Sequence, residues 1–333
     1  MKIAFQTNQL SIRGTEVALY DYAHFNESLL GNESLILTKK RHHFPHDPEA
    51  VSKFENRFKV LYYDNWNNAE KMMLDNSVDV LYTIKAGVRD EVESRIIKTC
   101  VHSVFQMYEP HGHVYAYISK WLSDKMTGGK SPYVDFMVYL PDIDGDMREE
   151  LNIPKDAIVF GRHGGYTTFN VPFAINVVNR IVQQRDDIYF LFLNTQKVCE
   201  NFKNIRLIDH EQIIHLPATS NMEYKTKFIN TCDAMLHARV NGESFGLAPA
   251  EFSIRNKPVI SWTGKDVRRY YPHKHDLAHI GLLGNKGIFY DDEIELNTVL
   301  NNFVPQPDKD WDAYSKFYNP EVIMKKFESV FLK

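Results

Sequence analysis

Short apolar runs alternate with helical stretches along almost the whole chain, and this restricts the fold more than any other feature of the sequence. Strands that follow one another through helices run parallel, because each connection must cross back over the sheet, and a parallel sheet needs both faces covered. In the first part, strands are expected at residues 3–5, 34–38, 59–61, 78–82, 99–104, 114–118 and 136–139, and helices at 15–25, 48–54, 67–76 and 119–126. The turn formers of residues 141–146 read as a linker, followed by a short helix at 147–151. A second alternation begins with a strand at 157–161 and continues through 188–193, 205–207, 234–236 and 258–261. Residues 320–333 read as an amphipathic helix that buries Val322, Ile323, Phe327, Val330 and Phe331. The expectation is an α/β protein of two Rossmann-like domains, residues 1–145 and 146–312, with a helical segment 313–333 packing back on the first.

Composition removes several function classes. With 333 residues the chain can bury substantial cores, and a net charge of −4 gives no electrostatic case for nucleic acid. Cys100, Cys199 and Cys232 are scattered without metal spacing and fit a reducing compartment, so a cytoplasmic protein is expected. Met1 leads straight into a strand, with no signal peptide. The longest apolar run, 188–193, is far too short to span a bilayer, which leaves a soluble or at most membrane-peripheral protein.

The densest chemistry lies in residues 241–260, NGESFGLAPAEFSIRNKPVI. Gly246 lets a backbone approach a ligand closely, and Leu247 starts a helix that tolerates Pro249 in its first turn. The first amides of such a helix have no internal partners and stand at the positive end of its dipole. Ser244, Phe245, Gly246 and Leu247 thus form an anion site suited to a diphosphate. Glu243 precedes the site, and Glu251 follows roughly 6 Å down the helix at about 1.5 Å per residue. Each acid can hold hydroxyls on its own side of a diphosphate, which is the layout of a nucleotide-sugar.

Elsewhere, Gly161-Arg162-His163-Gly164-Gly165 ends the first strand of the second half. Arg162 supplies a planar, permanently charged fork for phosphate oxygens, and Gly161 and Gly164 clear space for a close approach. The groups His42-His43-Phe44-Pro45-His46, His111-Gly112-His113 and His273-Lys274-His275 with His279 lack the cysteine or acidic company of a metal site and read as surface or loop histidines. His111, next to Glu109, is a polar group available on an acceptor side. No P-loop, G-x-S-x-G or G-x-G-x-x-G motif is present, against ATPase, hydrolase and dehydrogenase readings.

The stretch Glu243-Ser244-Phe245-Gly246-Leu247-Ala248-Pro249-Ala250-Glu251 resembles the E-x7-E signature of glycosyltransferase family 4. The resemblance continues in order along nearly the whole chain. It implies the GT-B fold, with two Rossmann-like domains facing each other across a central cleft, acceptor bound by the first and donor by the second. It also implies sugar transfer from a UDP- or GDP-sugar with retention of configuration, without cofactor or metal ion. Glu243 would then hold sugar hydroxyls, Glu251 the ribose, and Arg162 the donor diphosphate. His102 is similar to the family's strand-terminal histidine near the reacting centre, and Ser119 to its helix start, where it reads as an N-cap. Arg13, Gly14 and Thr15 are similar to its glycine loop facing the diphosphate and the acceptor, although only one glycine is present. The family's lysine some five residues after the arginine is missing here, and Lys265 is nominated as the substitute cation. The partners implied are a nucleotide-sugar and a glycan, lipid or protein-linked hydroxyl acceptor. The alternatives are a nucleotide-sugar epimerase and a non-catalytic nucleotide-sugar-binding protein of the same fold. A phosphorylase would need a far longer chain.

Overall fold

The structure is a computed structural model describing all residues except 201, 266 and 268–275. His273 and His275 therefore lie outside the described residues. The chain divides into two compact units, Met1–Met137 with Phe317–Lys333, and Val138–Lys316.

In the first unit, Lys2–Thr7 (β1), Glu33–Lys39 (β2), Lys59–Tyr63 (β3), Val80–Lys85 (β4), Lys98–Ser103 (β5) and Val114–Tyr117 (β6) form one sheet in the order β3-β2-β1-β4-β5-β6. Every pairing is parallel. The order reverses between β1 and β4, and ligands of open α/β sheets bind outside the strand ends at such a switch point. Local chemistry sets the helix starts. Asp47 accepts from Ala50 N before Pro48–Glu55, Asn65 from Asn68 N before Trp66–Asp75, and Ser119 from Leu122 N before Lys120–Thr127. That last helix stops at Gly128 with φ +60°, the left-handed conformation glycine reaches without strain.

The segment at 136–139 is not a strand. Pairing beside β6 stops just before it, at a single parallel bridge between Tyr117 and Tyr133, and the next two carbonyls are taken by side chains: Val134 O accepts from His102 Nε2 and Asp135 O from Tyr22 Oη, both at 2.7 Å. The chain's end packs on the same region. Pro320–Phe327 is α-helical and Glu328–Leu332 continues with wider turns. Phe327 stacks 5.1 Å from Tyr22, and Phe331 stands edge-on 5.3 Å from Tyr82. A fully buried phenylalanine stabilises by about 1.5–3 kcal/mol, so these rings fasten the terminal helix to the unit. Val322, expected inside, is exposed. It lies one position away from Ile323, which takes the buried face.

In the second unit the strands are Ile158–Arg162 (β7), Ile188–Leu193 (β8), Val198–Cys199 (β9), Phe202–Arg206 (β10), Ile213–Leu216 (β11), Ala234–His237 (β12), Gly242–Glu243 (β13), Val259–Trp262 (β14), Asp276–Leu277 (β15) and Gly287–Tyr290 (β16). The main sheet is parallel in the order β11-β8-β7-β12-β14-β16, the same winding as the first, with its switch point between β7 and β12. Its core gathers Phe160, Phe190, Phe192, Val177, Ile181 and Trp262.

Two expectations for this unit are corrected, and two edge strands are added. Of the run at 205–207, Ile205 and Arg206 end β10, which pairs antiparallel with β9 outside the main sheet, and Leu207 lies beyond it. Both edge strands, β11 and β16, escaped the sequence reading because they are short and carry partly exposed side chains. Residues 147–151 form turns, pinned by Arg148 Nη2 on Asp233 at 2.9 Å and by Met147 N on Thr231 Oγ1 at 2.9 Å. Among the described residues no helix is long and apolar enough to cross a membrane.

Candidate functional site

The second unit's switch point is where its sequence-marked residues converge. Arg162 ends β7 and His237 ends the neighbouring β12, with Met235 opposite Gly161 in register. Beyond β12 the chain passes Arg239 and β13, turns at Gly246 (φ +92°), and enters the helix Leu247–Ile254. No side chain caps that helix at its N-cap. A Cβ at position 246 would stand 3.2 Å from His279 Cβ and 3.3 Å from Glu243 Cβ, so glycine is favoured by the left-handed conformation first and by the tight space second.

Glu243 is gripped on both oxygens. Arg239 Nη1 donates to Oε2 at 2.7 Å, and His237 Nε2 lies 3.3 Å from Oε1. Behind it His237 Nδ1 is 2.9 Å from Ser261 Oγ, which is 3.1 Å from His279 Nε2. Because the carboxylate only accepts, His237 must carry its proton on Nε2, and in a neutral ring Nδ1 accepts from the serine hydroxyl. Burial alone would raise the Glu243 carboxyl, but Arg239, His237 and His279 overcome it and hold the group far below the usual carboxylate range.

Glu251 is more enclosed. Lys225 Nζ donates to its Oε1 at 2.9 Å, and His163 Nε2 stands 3.0 Å from Oε2 without the angle of a hydrogen bond. Burial pushes this carboxyl up, yet Lys225 and then His163 bring it down to about 2. The His163 imidazole, stacked 5.7 Å from Phe252, is lowered by burial more than Glu251 raises it, so it stays neutral near pH 7. The charged pair is therefore Lys225 with Glu251.

Arg162 is 4% exposed, yet it makes no ion pair among the described residues. Its guanidinium donates only to neutral oxygens: Gly165 O at 2.8 Å, Asn194 O at 3.4 Å and the hydroxyls of Thr168 and Thr195. Burial, with the like charge of Arg239, pulls it from 12.5 to about 9, still protonated at neutral pH. A buried cation hydrogen-bonded only to neutral acceptors has its geometry fixed, and its charge is countered only through space, by Glu243.

Other expected residues sit differently. The space at Gly161 is filled by protein: a Cβ there would meet Cys232 Sγ at 2.2 Å and Phe252 at 3.1 Å. Gly164, at φ +143°, lies against the Arg162 guanidinium. Lys265 is exposed and pairs with Asp291 at 2.6 Å. In the first unit, His102 is fully buried, with Nδ1 2.6 Å from Tyr82 Oη and Nε2 on Val134 O and Tyr117 O. Arg13 precedes the helix Gly14–Ser28 and lies over the Phe44 ring, while Thr15 Oγ1 donates to Glu16 Oε2 at 3.1 Å. That glutamate, buried and also bonded by Thr7 and Ser11, escaped the sequence reading. So did Lys225, His163, His237 and Arg239. Arg239 and His237 had a local signal as polar residues just ahead of the E-x7-E stretch, and His163 as the neighbour of Arg162 in the glycine-rich turn.

The histidine groups are tied into the fold. His46 bonds Leu10 N and Lys39 O, and His113 accepts from Thr99 N. His111 Nδ1 lies 2.6 Å from Glu109 O.

No family profile matches the chain, and no curated protein matches it. Solved structures do. Anabaena HepE in complex with UDP-glucose is 12% identical with TM-score 0.70, over 99% of this chain and 99% of HepE. A glycosyltransferase from Rickettsia africae is 12% identical with TM-score 0.68, over 99% and 97%. A protein from Listeria monocytogenes described as a putative UDP-N-acetylglucosamine 2-epimerase is 10% identical with TM-score 0.58, over 97% and 94%. At these identities the likeness is one of fold: the chain has the GT-B fold, built on two parallel six-stranded sheets.

Proposed function

We propose that this protein is a glycosyltransferase that moves a sugar from a nucleoside-diphosphate sugar, UDP- or GDP-linked, to a hydroxyl acceptor with retention of configuration. The observation that carries the reading is Arg162: a buried guanidinium with no carboxylate partner among the described residues, at the switch point of the second sheet. It shares that unit with an uncapped helix start set between two glutamates. Supporting it, HepE of the same fold is described in complex with UDP-glucose.

In this reading Arg162 and the amides of Phe245, Gly246 and Leu247 neutralise the departing diphosphate, since donors fixed in advance where charge develops stabilise a transition state most. Glu243, beside Ser244, holds sugar hydroxyls. Glu251 holds ribose hydroxyls with the lone pairs that Lys225 and His163 leave open, because a carboxylate offers about four acceptor sites. The bond from the sugar's anomeric carbon to the phosphate oxygen breaks, the acceptor oxygen bonds on the same face, and the acceptor proton passes to the departing phosphate. No covalent nucleophile and no metal ion enter the proposal. Acceptor binding is assigned to the first unit, at the loop carrying Arg13, Gly14 and Thr15. His102, fully enclosed, is given no part in the transfer.

The test is a thermal-shift panel of UDP, GDP and their sugars, followed by product analysis with and without acceptor. Transfer, or slow donor hydrolysis without acceptor, supports the reading. Sugar epimerisation with the nucleotide still attached favours the epimerase alternative. Binding without turnover across the panel favours the non-catalytic one.

A further inference from the structure

A departing nucleoside diphosphate carries roughly two to three negative charges, and residues 163–170 after Arg162 contain no lysine to share them. Lys265 answers poorly, because its side chain is 63% exposed and already paired with Asp291. Arg239 is placed otherwise. It follows the end of β12 by two residues, and β12 is hydrogen-bonded to the strand that ends in Arg162. The two loops are braced together: Asn170 N donates to Ala238 O at 3.0 Å, Val240 N donates to Asn170 Oδ1 at 2.9 Å, and Thr168 of the same segment accepts from Arg162. Arg239 Nε is enclosed with no acceptor, while its Nη1 rests on Glu243. The two guanidinium groups thus act on each other and on Glu243, with Asp276 adding a second negative charge that acts on Arg239, and the enclosed Arg239 Nε stays a donor without an acceptor until an anion joins it.

We propose that Arg239 is the second cation of the diphosphate site, and that the diphosphate draws it away from Glu243, releasing that carboxylate for the sugar hydroxyls. This rests on the nucleotide-sugar reading above. Without donor, Glu243 is occupied on both oxygens by Arg239 and His237. Grip on the sugar is therefore strengthened by the phosphates, since a free sugar meets only the lone pairs that Arg239 and His237 leave open. An arginine suits the exchange, since its fork can hold a carboxylate or a phosphate in the same geometry.

The experiment measures, by titration calorimetry, the affinity ladder uridine, UMP, UDP and its guanosine counterpart on the wild type, Arg239→Gln, Arg239→Lys and Lys265→Ala. A residue that contacts phosphate changes the increments between rungs, whereas a structural one lowers every rung alike, the bare nucleoside included. The expected result is a ten-fold or greater loss of the phosphate increment in Arg239→Gln, partial retention in Arg239→Lys, and no change in Lys265→Ala. An intact increment in Arg239→Gln, or equal loss on nucleoside and diphosphate, overturns this assignment while the nucleotide-sugar reading stands. Failure of both diphosphates to bind the wild type overturns the reading itself, and the assignment with it.

Discussion

Lys225 Nζ and Glu251 Oε1 stand 2.9 Å apart with side chains only 10% and 5% exposed, so the second acid of the E-x7-E stretch is half of a buried ion pair. Such a pair is held by cost as much as by attraction. Removing one partner leaves a charge stranded, whereas removing both need not destabilise.

Lys225→Met is therefore expected to lower unfolding free energy by about 3–5 kcal/mol, read by urea denaturation. The double variant Lys225→Met with Glu251→Leu should recover most of that loss. A single variant as stable as the wild type would show that the pair is hydrated and that Glu251 is not strongly held.

The same carboxylate gives a pH signature. Its folded-state value of about 2 lies below the ordinary 4.5, so its contribution is present above pH 4.5 and is lost as pH falls through 4.5 towards 2. A depression of that size corresponds to roughly 3 kcal/mol. Glu251→Gln should flatten the acid limb of stability within that window. If wild type and variant lose stability in parallel between pH 4.5 and 2, the linkage lies elsewhere.

Glu243 and Glu251 should separate in function. With Glu243 on the sugar side, Glu243→Gln should bind bare nucleoside diphosphate nearly as well as the wild type while kcat falls about 100-fold, the scale of one lost transition-state contact. Glu251→Ala should instead weaken diphosphate binding about ten-fold or more, since each charged hydrogen bond contributes roughly 1.5–3 kcal/mol. Equal loss of nucleotide affinity in both variants would reverse the left and right of the site.

What the sequence disclosed, and what it hid, follows from the range of the interactions. The central strands of both sheets were legible because burial on both faces makes continuous apolar runs such as 188–193. Edge strands β11 and β16 were not, since one exposed side interrupts the pattern with residues such as His215. The 136–139 segment misled because Phe136, Met137 and Val138 are buried, although the carbonyls of the two residues before it already go to His102 and Tyr22, distant in sequence. Glu243, Glu251, Gly246 and Arg162 stood out because helix-start and turn chemistry is local. Lys225, 26 residues from Glu251, had no local signal, because only the folded sheet brings its helix Met222–Thr231 to the acid. Gly161 was read as room for a ligand, and the fold fills that room with Cys232 and Phe252.

His102 offers the sharpest contrast between a sequence resemblance and a position in the fold. Burial lowers its imidazole from 6.5 to about 3, against the opposing pull of its bonds to Val134 O and Tyr117 O. It is therefore neutral when folded and gains a proton on unfolding below pH 6.5. Its contribution to stability is complete above 6.5 and is lost as pH falls from 6.5 towards 3, at a slope of about 1.4 kcal/mol per pH unit at most. Replacing it strands the Tyr82 hydroxyl and the Val134 carbonyl, while Tyr117 O keeps its bond from Val134 N, with a cost of about 1–3 kcal/mol for each buried group left unpaired. His102→Gln should thus melt earlier at pH 7.5, lose less additional stability than the wild type on acidification to pH 5, and keep kcat within about ten-fold in the folded fraction. A variant of unchanged melting temperature whose kcat falls 100-fold, with the acid limb of kcat/KM abolished, would return His102 to the reacting centre.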